Sequence, residues 1–389
     1  MVKALMVLIV AGHLVRSAPA ASSDWRIEVV DQSGTGLYTS LKVDTLGNGH
    51  LIYTTETEEH ALRYGFWDHA LKRWFVMTVA KGANFCALTL DSKQRPHISW
   101  ADYGTFVGSK LRYAHWDGAA WKIEAIPLSS EVIDFYTSIA LDQNDYPTIS
   151  FYEYRGPRGT DIAVRMRVVQ WNGQYWPAQT IDGENQSGKY NALVSDSQSR
   201  VHLAYANVGA QTAGIRYAIR DQGKWNAETI EDIRIAKTYM GSGAGVAVDK
   251  NGNPHIVYAN NSERTIRYAV RNGKQWVLEK VADVSKAVYA DRYAIAVTDA
   301  GIPYVAYYDG GSGELRVAWR QGSHWISETV ESNGAGFTSS MSIHDGQLWV
   351  SYADQSIGGI KVARRMLDGT PAGVVPKVSP PGDTAGKNE

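Results

Sequence analysis

A single thiol, Cys86, is all the sulfhydryl chemistry in these 389 residues, so no intrachain disulfide can form and the fold must be held by its core. An excess of charge of one sign is also missing. The formal net charge is −1 and no long run of Lys or Arg occurs, which removes the electrostatic footprint of a nucleic-acid binder. Long apolar runs are absent beyond the first residues, so no stable membrane span is expected. Helical periodicity is absent as well. There is no HxxxH or HxH spacing and no Cys/His cluster, which excludes a recognisable transition-metal site. No Gly-rich nucleotide loop and no Gly-x-Ser-x-Gly elbow is present, so no cofactor is expected.

What is present starts with a short leader. Lys3 supplies a positive start, residues 4–12 are apolar, and Ala18-Pro19-Ala20 gives a small-x-small cleavage site. Residues 1–20 therefore read as a signal peptide, with a mature chain from near Ala21 that is secreted or periplasmic. At the other end, residues 367–389 are rich in Pro, Gly, Ser and Thr and read as a disordered tail.

Between them, residues 21–366 repeat. One tryptophan recurs with near-constant phase at Trp25, Trp74, Trp121, Trp176, Trp225, Trp276 and Trp325, at intervals of 49, 47, 55, 49, 51 and 49 residues. Each unit reads as four strands. An apolar stretch ends in Asp (Asp44, Asp91, Asp142, Asp196, Asp249, Asp299) and a tight turn follows. A second strand closes on an aromatic nine residues after the Asp (Tyr53, Trp100, Phe151, Tyr205, Tyr258), or eight in the case of Tyr307. A Leu/Ile-Arg-Tyr-Ala strand and a hairpin such as Asn272-Gly273 lead to the Trp-bearing strand. Four-strand units at this period are propeller blades. The last unit, ending near Ala363, has no Trp strand, and Trp25–Val30 is a Trp strand with no unit. Joined, they complete a seventh blade and remove two sticky sheet edges. The expectation is an all-β, seven-bladed propeller of four-stranded antiparallel blades, its ring closed by the N-terminal strand.

Residues that recur in every blade are expected to be structural. The tryptophans should pack between blades, and the Asp series should accept N–H groups of the turns. Third-strand bases (Arg63, Arg112, Arg167, Arg216, Arg267, Arg316, Lys361) should pair with the Glu three residues after the Trp (Glu28, Glu124, Glu228, Glu279, Glu328) on the adjacent strand. His50, His97, His202 and His255 share one second-strand position. Cys86 should be a small buried residue.

The pattern D-x-x-G-x-P-H-I-x-Y (Asp249–Tyr258), with L-R-Y-A (Leu111–Ala114) and W-x-x-E-T (Trp225–Thr229), resembles the bacterial secreted seven-bladed propellers of the broad sialidase-like and lectin-like group. That resemblance covers residues 24–366 and implies the fold. It also implies two activities: binding of a glycan or protein ligand, or cleavage of a polysaccharide by a lyase or hydrolase using Tyr/Arg chemistry. The sialidase Asp-box is absent, which argues against sialidase chemistry, and no catalytic residue carries over.

A site is expected on the face bearing the long second-to-third and interblade loops, which cluster on blades two to five. An aromatic opens the first strand of each blade (Tyr38, Phe85, Tyr136, Tyr190, Tyr239, Tyr293, Phe337) near the channel mouth, as a packed collar or a stacking surface. The candidate ligand-binding residues are Tyr136, Arg155, Arg158, Lys189, Tyr190, Lys237, Tyr239, Tyr289 and Arg292, around a cavity expected off the axis.

Overall fold

The computed structural model describes residues 24–34, 36–102, 110–128, 133–155, 163–183, 187–208, 213–233, 243–285 and 293–367. They form seven four-stranded antiparallel sheets, six of which run in sequence order from the inner to the outer strand. Blade 1 starts at Gly36–Val43, blade 2 at Ala83–Leu90, blade 3 at Ile133–Leu141 and blade 4 at Ser187–Ser195. Blades 5, 6 and 7 start at Ala244–Val248, Ala294–Val297 and Ala335–His344. The seventh sheet runs Ala335–His344, Gln347–Asp354, Gly359–Met366 and then Arg26–Asp31, so the N-terminal strand is its outer strand. Its register sets Arg26 opposite Arg364 and Asp31 opposite Ile360, as the sequence requires. Leu367 still belongs to this blade: it is buried and its N–H donates to Gly346 O at 2.8 Å. Residues 1–23, where the signal peptide is expected, and residues 368–389, where the tail is expected, lie outside the described residues.

The turn aspartates behave as expected. Asp44 Oδ1 accepts the N–H groups of Leu46 and Asn48, and Asp91, Asp142, Asp196 and Asp249 repeat the arrangement. In blade 6 the role falls to Thr298, not Asp299. Thr298 Oγ1 accepts the Ile302 N–H at 3.0 Å, and the Thr298 backbone makes the bonds that Asp44 makes in blade 1. Counted from Thr298, Tyr307 is nine residues on, and the irregular spacing disappears.

In four blades the turn Asp continues into a buried chain. His50 Nδ1 meets Tyr64 Oη at 2.7 Å, His97 meets Tyr113 at 2.6 Å, His202 meets Tyr217 at 2.7 Å and His255 meets Tyr268 at 2.5 Å. The other ring nitrogen of each faces the turn Asp, between 3.2 and 3.7 Å. Those tyrosine rings abut the tryptophan of the following blade edge-on, for example Tyr217–Trp276 at 5.1 Å and Tyr64–Trp121 at 5.2 Å. Where blades 3, 6 and 7 have Val168, Val317 and Val362 in place of the tyrosine, the histidine is also replaced, by Thr148, Tyr304 and Trp349. The tryptophans thus sit between blades, as their recurrence implies.

The expected pairing of third-strand bases with the Glu three residues after the Trp is not what forms. The partner is instead an acid six residues after the Trp, on the preceding blade, or an acid of the base's own blade. Arg63 pairs with Asp31, Arg216 with Asp182, Arg267 with Glu231 and Lys361 with Glu331 across seams. Where the sixth position is Ala80, Pro127 or Ala282, Arg112, Arg167 and Arg316 turn to Asp102, Glu153 and Glu314 of their own blades. The Glu at the third position also reaches across a seam. Glu228 accepts Trp276 Nε1 (3.2 Å) and Arg271, while Glu279 accepts Trp325 Nε1 (2.8 Å) and Arg320. Glu328 accepts Trp25 Nε1 (2.7 Å) and Arg365.

Candidate functional site

The site is built by one local device used four times. In blade 1 the pairing of the inner and second strands runs Leu37↔Thr54 and then Ser40↔Ile52, so one extra residue is inserted as a bulge. The first residue of the bulge, Tyr38, takes φ +53°. Blades 2, 3 and 4 repeat the bulge, with Phe85 at φ +47°, Tyr136 at +55° and Tyr190 at +52°. Left-handed backbone is unfavourable for a bulky L-residue, by about 1–3 kcal/mol. Four aromatic residues held there in register mark a feature that the surrounding structure imposes. The bulge sets all four rings on the wall of one recess.

The four rings touch in succession. Tyr38–Phe85 and Phe85–Tyr136 centroids are 4.4 Å apart, and Tyr136–Tyr190 are 4.6 Å apart. All four are half-buried. The residue after each ring ties it to a neighbouring blade. Cys86 Sγ donates to Tyr38 O at 2.9 Å, and Asn191 Nδ2 donates to Tyr136 O. Asn191 Oδ1 accepts Ser150 Oγ at 2.6 Å, and Thr137 Oγ1 bonds Ser99 Oγ at 2.9 Å. Buried Cys86 is therefore a structural residue, as its sequence context implies.

An open recess of about 370 Å³, solvent included, lies inside this collar, with Thr338 and Ser339 of blade 7 on its far wall. Its lining comes from blades 1, 2, 3, 4 and 7. The long loops around which the sequence placed an off-axis cavity lie outside the described residues. Lys189 stands behind the collar, its ammonium 5.6 Å from the Tyr152 ring, which in turn meets Tyr136 edge-on at 6.4 Å. Among the described residues the lining of the recess carries no charge.

Of the sequence-derived candidates, the structure brings together Tyr136, Tyr190 and Lys189. Arg155 ends the second strand of blade 3 opposite Ala163, and its side chain is outside the described residues. Arg158, Lys237, Tyr239, Tyr289 and Arg292 are outside them altogether, as is the Phe337 side chain. Tyr293 is fully buried, with its hydroxyl pushed up by burial, and belongs to the channel wall below. Sequence reasoning missed Asn191, Thr338 and Tyr152. For Asn191 the signal was available, because it follows the collar aromatic directly.

The opposite, tight-hairpin face holds the Asp–His–Tyr chains. Burial lowers His97 to about 4 against the pull of Asp91, and lowers His202 and His255 as well. Asp44 is held at about 2: burial raises it, but hydrogen bonds from His50, Asn48 and Leu46 outweigh that. These groups are sequestered and face one another, so they act as scaffold, although His255 Nε2, 3.7 Å from Asp249, makes no hydrogen bond among the described residues. Among the described residues no group of three or more His, Cys, Asp or Glu is placed to hold a metal ion.

No family model matches the chain, and no curated protein sequence matches it. Solved structures do. A lectin from Burkholderia pseudomallei, BP39L, is 13% identical over 86% of this chain and 96% of its own, with a TM-score of 0.60. The polysaccharide lyase Uly1 is 10% identical over 85% of this chain and 90% of its own, with a TM-score of 0.57. A sialidase of Trypanosoma rangeli is 10% identical over 87% of this chain and 59% of its own, at 0.52. At these identities the likeness is one of fold. The chain is a seven-bladed propeller of the sialidase-like and lectin-like architecture.

Proposed function

We propose that this propeller is an exported glycan-binding module that stacks a sugar ring on the aromatic collar at the channel mouth. The carrying observation is the collar itself: four half-buried rings, each held in a left-handed bulge, around a recess whose described lining is uncharged. Half-exposed rings offer apolar faces to the C–H surface of a pyranose, while Thr338, Ser339 and Asn191 beside them offer hydrogen bonds. The lectin and lyase folds of similar architecture support a carbohydrate ligand. Cleavage needs a base beside a charge-neutralising cation, and the described lining of the recess supplies no cation, which favours binding over cleavage. The leader ending at Ala20 supports export to the periplasm or the medium.

The test is a glycan array followed by calorimetry on the best ligand. Tyr136→Ala with Tyr190→Ala is expected to weaken binding at least tenfold while leaving a cooperative melt. Unchanged affinity, or binding to a protein partner and to no glycan, removes this reading. Appearance of unsaturated products during the same incubations would replace it with a lyase.

A further inference from the structure

Seven outer strands form the rim, and each leaves one edge without a neighbour in its sheet. Unpaired edges are ordinarily blunted by charge, by proline or by shortness, because an open ladder pairs with any strand that fits. Five of the seven follow this rule with a glutamate three residues after the tryptophan: Glu28, Glu124, Glu228, Glu279 and Glu328. A sixth, Ala178–Asp182, is five residues long and follows Pro177. The blade 1 strand, Arg73–Ala80, runs eight residues, and its single charge stands at its first residue. Where those five have glutamate it has Met77.

Alternation sorts this strand into two faces. Trp74 and Val76 pack against a cluster that includes Trp349 and Ile360 of blade 7. Phe75 and Met77 lie on the opposite face and stay 38% and 46% exposed. The Arg73 guanidinium lies 4.3 Å above the Phe75 ring, so that the charge rests on the strand's own side chain. At the far end Lys81 bonds Glu59 at 2.6 Å. A copy of this strand laid antiparallel, with the two-fold through Val76, sets Phe75 opposite Met77 of the second copy and Met77 opposite its Phe75. Arg73 then faces Val79, and the end that carries it meets the end that carries Glu59. No like charges stand opposite one another within the strand.

We propose that the outer edge of blade 1 is a self-association surface, on which a second copy of this chain adds its own Arg73–Ala80 strand to make one continuous sheet through both molecules. Each exposed apolar side chain is covered by the other copy, and the open backbone groups of both edges meet in one ladder. A ladder roughly 27 Å long falls short of the ~1,000 Å² buried by a permanent interface, so the dimer forms reversibly as concentration rises. The surface lies on the rim and does not depend on what the collar binds.

Sedimentation equilibrium reads the association. The weight-average mass is expected to rise with concentration from that of one chain toward that of two. Met77→Lys puts charge on the edge and is expected to weaken the dimer by about tenfold or more while keeping a cooperative melt. Ile326→Lys, at a comparably exposed apolar position in the blade 6 outer strand, is expected to leave the dimer unchanged. Should Met77→Lys not fold, Phe75→Lys replaces it with the same expectation. Register is read by cysteine: under a mild oxidant Val76→Cys is expected to give a covalent dimer, and Thr78→Cys, which stands off the two-fold, is not. A single-chain mass at every concentration, a dimer indifferent to charge at positions 75 and 77, or cross-linking through Thr78→Cys and not Val76→Cys overturns the proposal.

Discussion

The seams between blades fall into two kinds, which differ in the radius at which they are joined. Between blades 4 and 5, 5 and 6, and 6 and 7, the join is near the rim and charged: a Glu on one blade takes the indole N–H and an Arg of the next. Between blades 1 and 2, 2 and 3, and 3 and 4, the described join is near the axis and aromatic, through the collar. There the rim staple is missing, and the buried indole nitrogens of Trp121, Trp176 and Trp225 have no protein partner. Two residues are needed at once. Seam 2/3 has Glu124 but Trp171 in place of the Arg, seam 3/4 has Arg220 but Gln179 in place of the Glu, and seam 1/2 has Met77 and Trp116. A Glu without its Arg is not a staple, as Glu124 shows. The half of the ring that carries the collar is thus the half with the plainer rim.

Seam 7/1 belongs to neither kind, and removing it should have the largest effect. There Arg364 is buried, bonds Glu28, and lies 4.1 Å from the Trp67 ring centre and 4.6 Å from that of Trp349. Deleting Asp24–Val30 removes the outer strand and exposes the edge of Gly359–Met366, so loss of the cooperative melt and aggregation are expected. Size-exclusion chromatography checks this, and a monomeric, cooperatively folded deletion product would refute strand closure.

Next in size is acid sensitivity, set by the blades in which burial depresses a histidine, His97 most strongly and His202 and His255 in the same direction. His97 falls from the ordinary 6.5 to about 4 on folding. Between those values the unfolded chain binds the proton and the folded one does not, so stability is full above about pH 6.5 and falls as pH drops toward 4. The loss from His97 is about 2–3 kcal/mol. Chemical denaturation at pH 7 and pH 4.5 measures it, and His97→Gln should reduce the difference by that amount. An equal acid loss in that variant would assign the effect elsewhere.

Two substitutions then test the staple itself. Trp276→Phe should cost about 1–2 kcal/mol more than Trp225→Phe, because only the first takes an indole N–H away from a glutamate. Equal losses would mean that packing alone holds the rim. The smallest effect runs the other way. Gln179→Glu supplies the missing acid opposite Arg220 and Trp225, and should add about 0.5–1 kcal/mol. The gain should vanish in the Trp225→Phe background, and a gain that persists there would count against the two-residue rule.

Blade number, strand order and closure were legible because they are properties of the repeat: Trp25 and the Trp-less last unit could only be halves of one blade. The ion pairs were misjudged because sequence proximity pairs Arg267 with Glu279, while the propeller brings Glu231 of the preceding blade against it. Seam partners are set by curvature, which no single repeat encodes. Thr298 was recoverable, since the nine-residue spacing to Tyr307 singles it out over Asp299. The collar's membership was legible from phase, but its aim was not. The insertion that sets Tyr136 and Tyr190 on one recess is visible only as a mismatch between two strands.

Closure by the N-terminal strand also has a consequence in time. Glu28 and Arg364, which meet at the seam, are 336 residues apart in the chain. At ribosomal rates roughly 20–70 s separate their synthesis, and throughout that interval the first strand made has no sheet to join. Blades 1 to 6 can assemble from local hairpins as they emerge, each contact short-range and quick to find. The ring as a whole cannot close until its last inner, second and third strands exist. The earliest residues of the propeller are thus the last to reach their place, and its folding is completed only after Gly359–Met366 has been made.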